Sequence, residues 1–116
     1  MNPHPGAFLP LSTASLHILL VLADENLHGY GIMQEVERQS DGQYKLGPGT
    51  LYDNLQRLLD SGLVGEAPRL KDDDRRRRRY KLTSLGRRVA LAEISRLETL
   101  LRKAKGHLQP ARGKKA

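Results

Sequence analysis

Residues 47–64, GPGTLYDNLQRLLDSGLV, leave the chain less freedom than any other stretch. Leu51, Leu55, Leu58 and Leu59 fall on one helical face, so the segment forms an amphipathic helix that must be covered by other elements. Gly47-Pro48 marks its start, because a proline in the first turn needs no partner for a missing amide, and Gly62 suits its end. With the leucines inward, ~100° of rotation per residue turns Thr50, Asp53, Gln56 and Arg57 outward and sets Tyr52 and Asn54 on the flanks.

Two helices are expected before this one. Ser12 or Thr13 can cap a first helix with apolar positions at Leu16, Leu19, Leu20 and Ala23, ending in the polar stretch 24–29. A second helix places Ile32, Met33 and Val36 on one face and stops at Asp41-Gly42. Tyr44 to Leu46 reads as a short strand before the third helix. After it come a strand over residues 63–67, a charged loop, and a strand over residues 80–82. Helix, helix, helix, strand, turn, strand is the order of a winged helix-turn-helix with the hairpin as its wing, an α+β fold that is mainly α.

Charge is focused rather than spread. Of the net +7, residues 71–81 carry +4 and residues 102–116 carry +6, leaving the rest at −3. Two basic foci on an otherwise acidic chain are the footprint of a polyanion partner. The first is the run Arg75, Arg76, Arg77, Arg78 and Arg79 at the hairpin tip, from where extended guanidiniums reach duplex grooves or phosphates; Asp72, Asp73 and Asp74 beside it are neutralised by these arginines rather than forming a metal site. On the third helix, Gln56 and Asn54 offer paired hydrogen bonds to adenine and Arg57 to guanine, while Asp53, four residues before Arg57, aims its guanidinium. Gly47 and Gly49 let backbone approach a phosphate at the helix start. Lys45 and Lys81, flanking the helix and in the wing, complete the expected DNA-binding set with Thr50 and Tyr52.

The last helix, capped by Thr83, carries Ala90, Ile94, Leu97, Leu101, Ala104 and Leu108 at spacings of 4, 3, 4, 3 and 4, the seam of a coiled coil. Folding back onto the first helix of the same chain is one way to cover it. Pairing with a second copy is the other and the expected one, since a dimer matches two DNA half-sites. The expected organisation is a flexible N-terminal tail over 1–10, a winged helix-turn-helix over 11–83, a dimerisation helix over 84–108 and a flexible basic tail over 109–116.

Other chemistries find little footing. There is no cysteine, the four histidines are scattered, and GPGT lacks the Walker lysine. No cofactor, metal site or enzyme activity is expected. The longest apolar runs fall short of the ~20 residues of a membrane span, and the N-terminus shows no signal-peptide pattern, so a cytoplasmic protein without membrane contact is expected.

HGYGI at 28–32, GPGTLYDNLQRLLDSGLV at 47–64 and RRRYKLTSLGRR at 77–88 resemble the PadR family of transcriptional regulators over about residues 12–108. The resemblance implies a winged-helix repressor of the short subgroup with one helix after the wing, dimerising through it on an inverted repeat. It also implies that Thr50, Tyr52 and their outward neighbours face double-stranded DNA and that the arginines before Tyr80 form the wing, and it leaves room for a small-molecule inducer as a partner. In some relatives flat aromatic compounds bind between tryptophans or other rings at the dimer interface; this chain has no tryptophan. The five-arginine run is longer than the wing motif requires. Two other readings fit the same residues: an architectural nucleic-acid-binding protein that does not read sequence, and a scaffold that uses the helical seam for a different partner.

Overall fold

The computed structural model describes residues 4–69 and 77–109. Four helices and a small sheet make a winged helix with a long C-terminal helix: α1 (Thr13–Asp24), β1 (Leu27–His28), α2 (Gly29–Gln39), α3 (Pro48–Asp60), β2 (Val64–Glu66), β3 (Arg79–Leu82) and α4 (Ser84–Leu108). The sheet is antiparallel in the order β1-β3-β2, with Tyr80 facing Leu27 on one side and Glu66 on the other. Arg75, Arg76 and the three aspartates, expected at the wing tip, lie outside the described residues, as does the basic tail from 110 onward.

The ends of the helices follow from local chemistry. Ser12 Oγ accepts from the Ser15 amide at 3.0 Å and Thr83 Oγ1 from the Gly86 amide at 2.9 Å, satisfying amides that lack intrahelical partners. At the end of α3, Gly62 adopts φ of 80°, its amide bonds Leu59 O at 3.1 Å, and the Leu63 amide bonds Leu58 O at 2.9 Å. This paired closure turns the chain directly into β2 and buries Leu58 and Leu63 together.

Helix α1 is the centre of the domain and touches α2, α3, α4 and β3. Its buried residues are Ala14, Ile18, Leu19, Val21 and Leu22, whereas Leu16, Leu20 and Ala23, expected on its inner face, are only partly covered. The run LHILLVLA is apolar nearly all round, so periodicity cannot select a face, and a helix enclosed on several sides does not need one. Two further differences concern short segments. Residues 44–46 form no strand; Leu46 is buried and the Tyr44 ring stacks on His17 with centroids 4.7 Å apart. The strand that does form, β1, is only two residues long, too short for alternation to mark it.

The N-terminal segment, expected to be a flexible tail, is structured over Pro5–Phe8, where a 3-10 turn packs on α4. The chain then enters α1 with the Leu11 amide donating to Glu93 Oε2 at 2.8 Å. Glu93 is 1 % exposed and also pairs with Arg96. Arg96 and the Leu11 amide hold its carboxyl below the ordinary value of 4.5, with the Arg96 hydrogen bond the largest cause and burial opposing.

Candidate nucleic-acid interface

Helix α3 buries Leu51, Leu55 and Leu58 and turns Thr50, Tyr52, Asp53, Gln56 and Arg57 to solvent. Gly47, Pro48 and Gly49 at its start are also exposed. Gln56 Nε2 donates to Asp60 Oδ1 at 2.9 Å, one turn on. Among the described residues, Asp53 makes no ion pair with Arg57, so it does not aim that guanidinium in the manner expected.

Asn54 does not belong to the outward face. It is 8 % exposed, its Nδ2 donates to Thr50 O at 2.7 Å, and its Oδ1 accepts from Ser15 Oγ at 3.0 Å and Ser12 Oγ at 3.3 Å. The side chain clasps α3 to the first turn of α1, and its polar atoms are used there rather than offered to a base. Its position, three after Leu51 and four before Leu58, carries the signal: those spacings put it on the buried stripe.

The base of the wing divides its charges by strand alternation. On β3, Tyr80 is buried and Lys81 exposed, while Arg77 and Arg78 precede the strand in the open. Arg78 Nε lies 4.0 Å from Glu66 Oε1, a loose and exposed pair. Arg79 is turned back, its guanidinium donating to Pro68 O at 3.4 Å and Asn26 O at 3.5 Å, so it braces β1 and the end of β2 as well as carrying charge. Lys45 is exposed in the loop between α2 and α3.

Arg77 and Arg78 meet the Tyr52 flank of α3 and the first turn of α2 at a concave surface of about 380 Å3. His28, Gly29, Tyr30 and Tyr80 complete its wall. His28 Nδ1 lies 3.2 Å from Arg78 O, a contact that ties the start of α2 to the wing and is a hydrogen bond in the tautomer with the proton on Nδ1, since a carbonyl only accepts. A Cβ on Gly29 would fall inside contact with the Tyr52 hydroxyl and 2.9 Å from Cζ, which places the phenol directly over the helix start. Burial, with Tyr52 and Glu66 adding and Arg78 opposing, pushes the Tyr80 phenol above its ordinary value near 10, so it remains a hydroxyl donor at neutral pH. Reading the sequence did not bring His28, Tyr30 and Tyr80 to this surface. HGYG and RRRYK stand fifty residues apart, and only the pairing of β1 with β3 joins them.

The remaining sequence-designated residues lie on α4. Ala90 is buried against the winged domain together with Gly86, Val89 and Glu93, and is therefore not part of an open seam. From Ile94 onward no described residue is buried: Ile94, Leu101 and Leu108 are exposed, Leu97 and Ala104 partly covered. Leu97, Leu100, Leu101 and Ala104 line an apolar groove on this half of the helix.

Comparison with known proteins agrees with this architecture. The transcriptional regulator PadR-like family matches residues 18–92. Transcriptional regulator Rv3488 of Mycobacterium tuberculosis is 40 % identical over 91 residues, which span 78 % of this chain and 81 % of that protein. Among solved structures, a transcriptional regulator from Clostridium thermocellum superposes with a TM-score of 0.70 at 21 % identity, covering 82 % of this chain and 92 % of the other. Bacillus subtilis PadR in complex with operator DNA superposes with a TM-score of 0.63 at 19 % identity, over 72 % of this chain and 47 % of that one. The two structures share the fold, and the family match over residues 18–92 with the 40 % identical regulator shows the lineage: the chain is a transcriptional regulator of the PadR-like family.

Proposed function

We propose that the protein is a sequence-specific DNA-binding repressor that engages an inverted-repeat operator as a homodimer in the cytoplasm. The observation that carries this reading is the joint exposure, on one side of the domain, of the polar face of α3 and the arginines at the wing base, which meet at the concave surface beside Tyr52. An exposed helix with Gln56 and Arg57 outward suits a major groove, and flanking guanidiniums suit the phosphates beside it. The shared fold with a PadR that has been solved on operator DNA supports the same use of these elements.

The homodimer rests on α4. Its groove at Leu97, Leu100, Leu101 and Ala104 is apolar, and a second copy presents the same face, as a two-fold interface requires. Residues 11–83 with the first turns of α4 would then bind DNA, and the remainder of α4 would set the spacing of two such units. The test is whether an inverted repeat lies upstream of the protein's own gene or its neighbour and whether the purified protein binds a duplex carrying it, against a scrambled duplex of equal length. Preference for the repeat by a factor of ~10³ or more fits a specific regulator. Equal affinity for both duplexes would instead establish an architectural nucleic-acid-binding protein.

A further inference from the structure

The concave surface between α2, α3 and the wing has a chemistry that base reading does not need. Arg77 and Arg78 contribute guanidiniums, Tyr30, Tyr52 and Tyr80 contribute phenols, and no carboxylate lines it among the described residues. Its polar side chains are therefore mostly hydrogen-bond donors, which suits a tetrahedral oxyanion and repels a cation. Glu66 approaches Arg78 only to 4.0 Å, and such an exposed pair holds its guanidinium weakly enough for another anion to take it.

We infer that this surface seats one backbone phosphate of duplex DNA, and that Tyr52 is an anchor for that phosphate rather than a reader of bases. The inference rests on the DNA-binding reading above and deepens it. Tyr52 belongs to α3, yet its ring crosses to α2, with the hydroxyl over Gly29 inside contact distance of where a Cβ would stand. There it shares the concave surface with Arg77 and Arg78, a surface that Gln56 does not line, so its hydroxyl is open to the same space as the guanidiniums. Gly29 is thus a functional glycine: any side chain would displace the phenol and close the seat. His28, in contact through Nδ1 with the Arg78 carbonyl, keeps the two walls of the seat in register.

The test compares wild type, Tyr52→Phe and Arg78→Gln on the inverted-repeat duplex and on a scrambled one, across a range of salt. Tyr52→Phe is expected to weaken both duplexes by the same factor, about tenfold, the loss of one hydrogen bond to a charged acceptor. Arg78→Gln is expected to weaken both and to flatten the slope of log affinity against log salt by ~0.9. A Tyr52→Phe protein that keeps its scrambled-duplex affinity but changes base preference overturns the seat and makes Tyr52 a reader. If wild type binds DNA and both variants match it, the seat alone falls; if wild type binds neither duplex, the DNA-binding reading falls with it. Amide resonances of Gly29 and Tyr30 are expected to shift with duplex. Shifts with inorganic phosphate at constant ionic strength but none with duplex would give the site to a free anion and overturn the inference.

Discussion

The two halves of α4 carry one apolar stripe with one period, and they meet opposite fates. Over residues 84–93 the stripe is buried by the chain's own winged domain, with Val89 fully enclosed and Gly86 pressed on the Leu63 backbone just before β2. Over residues 94–108 it is bare: Leu101 is 56 % exposed and Leu108 84 %. Periodicity reports which side of a helix is apolar and says nothing of what covers it. Fold-back onto the own chain and pairing with a second copy are therefore not rivals here. The first describes the N-terminal part of α4, and the second is proposed for the rest.

The sharpest way to break the contrast is a charge in the bare half. Leu97→Arg or Leu101→Arg is expected to give monomers in sedimentation, because each copy would bury a guanidinium against its own image, and burial of each leucine in the dimer is worth ~1.5–3 kcal/mol per copy. Thermal unfolding of the winged domain should barely change. A variant that stays dimeric would place the pairing surface elsewhere.

In the covered half the largest effect belongs to a single methyl group. A Cβ on Gly86 would collide with the Leu63 carbonyl and come within 2.7 Å of Leu82 Cδ1, and the first of these is backbone that cannot swing away. Gly86→Ala is expected to destabilise the monomeric fold by about 1–3 kcal/mol, seen as a lowered midpoint in urea. Dimer affinity measured below the transition should be retained, the reverse of the leucine variants.

Glu93 marks the border between the halves, and its charge can be titrated. Its folded pKa is lowered, chiefly by Arg96, so its contribution is fully present above the ordinary value of 4.5 and is lost as pH falls through the lower folded value. Wild-type stability should decline through this acid window. Glu93→Gln keeps an acceptor for the Leu11 amide but has no charge to lose, so this part of the decline should vanish. Glu93→Ala leaves that amide without its acceptor, at a cost of ~1–3 kcal/mol at neutral pH. Equal acid profiles for wild type and Glu93→Gln would show that another carboxylate governs the window.

How much of this was legible in the sequence depended on whether a segment's environment was one-sided. Helix α3 has one wet and one dry face, so the spacing of its leucines and the Gly47-Pro48 and Gly62 signals locate it well. Helix α1 is dry on most sides, and its face is set by neighbours that are distant in sequence. Asn54 is polar on the dry side, where composition argues for exposure while spacing argues for burial; its bonds to Ser12 and Ser15 decide for burial. The concave surface beside Tyr52 was least legible, because β1 is two residues long and its pairing with β3 is what brings His28 to Arg78.

The smallest expected effect is a gain, and it comes from the glycine in the other half of α4. A Cβ on Gly106 meets nothing within 4 Å, in contrast to Gly86 on the same helix. Gly106 also lies roughly 160° around the helix from Ala90, the opposite side from Leu97 and Leu101, so a methyl group there would not enter the proposed pairing surface. What remains is intrinsic preference: alanine is favoured over glycine within a helix by ~0.5–1 kcal/mol, and less in a last turn that frays. Gly106→Ala should therefore slow hydrogen exchange of the amides from Arg102 to Lys105 by severalfold at most. Sedimentation and the unfolding midpoint of the winged domain should not move. A weakened dimer in this variant would mean that the partner packs on the far side of α4, and the stripe running from Ile94 to Leu108 would no longer be the surface to which the second copy is assigned.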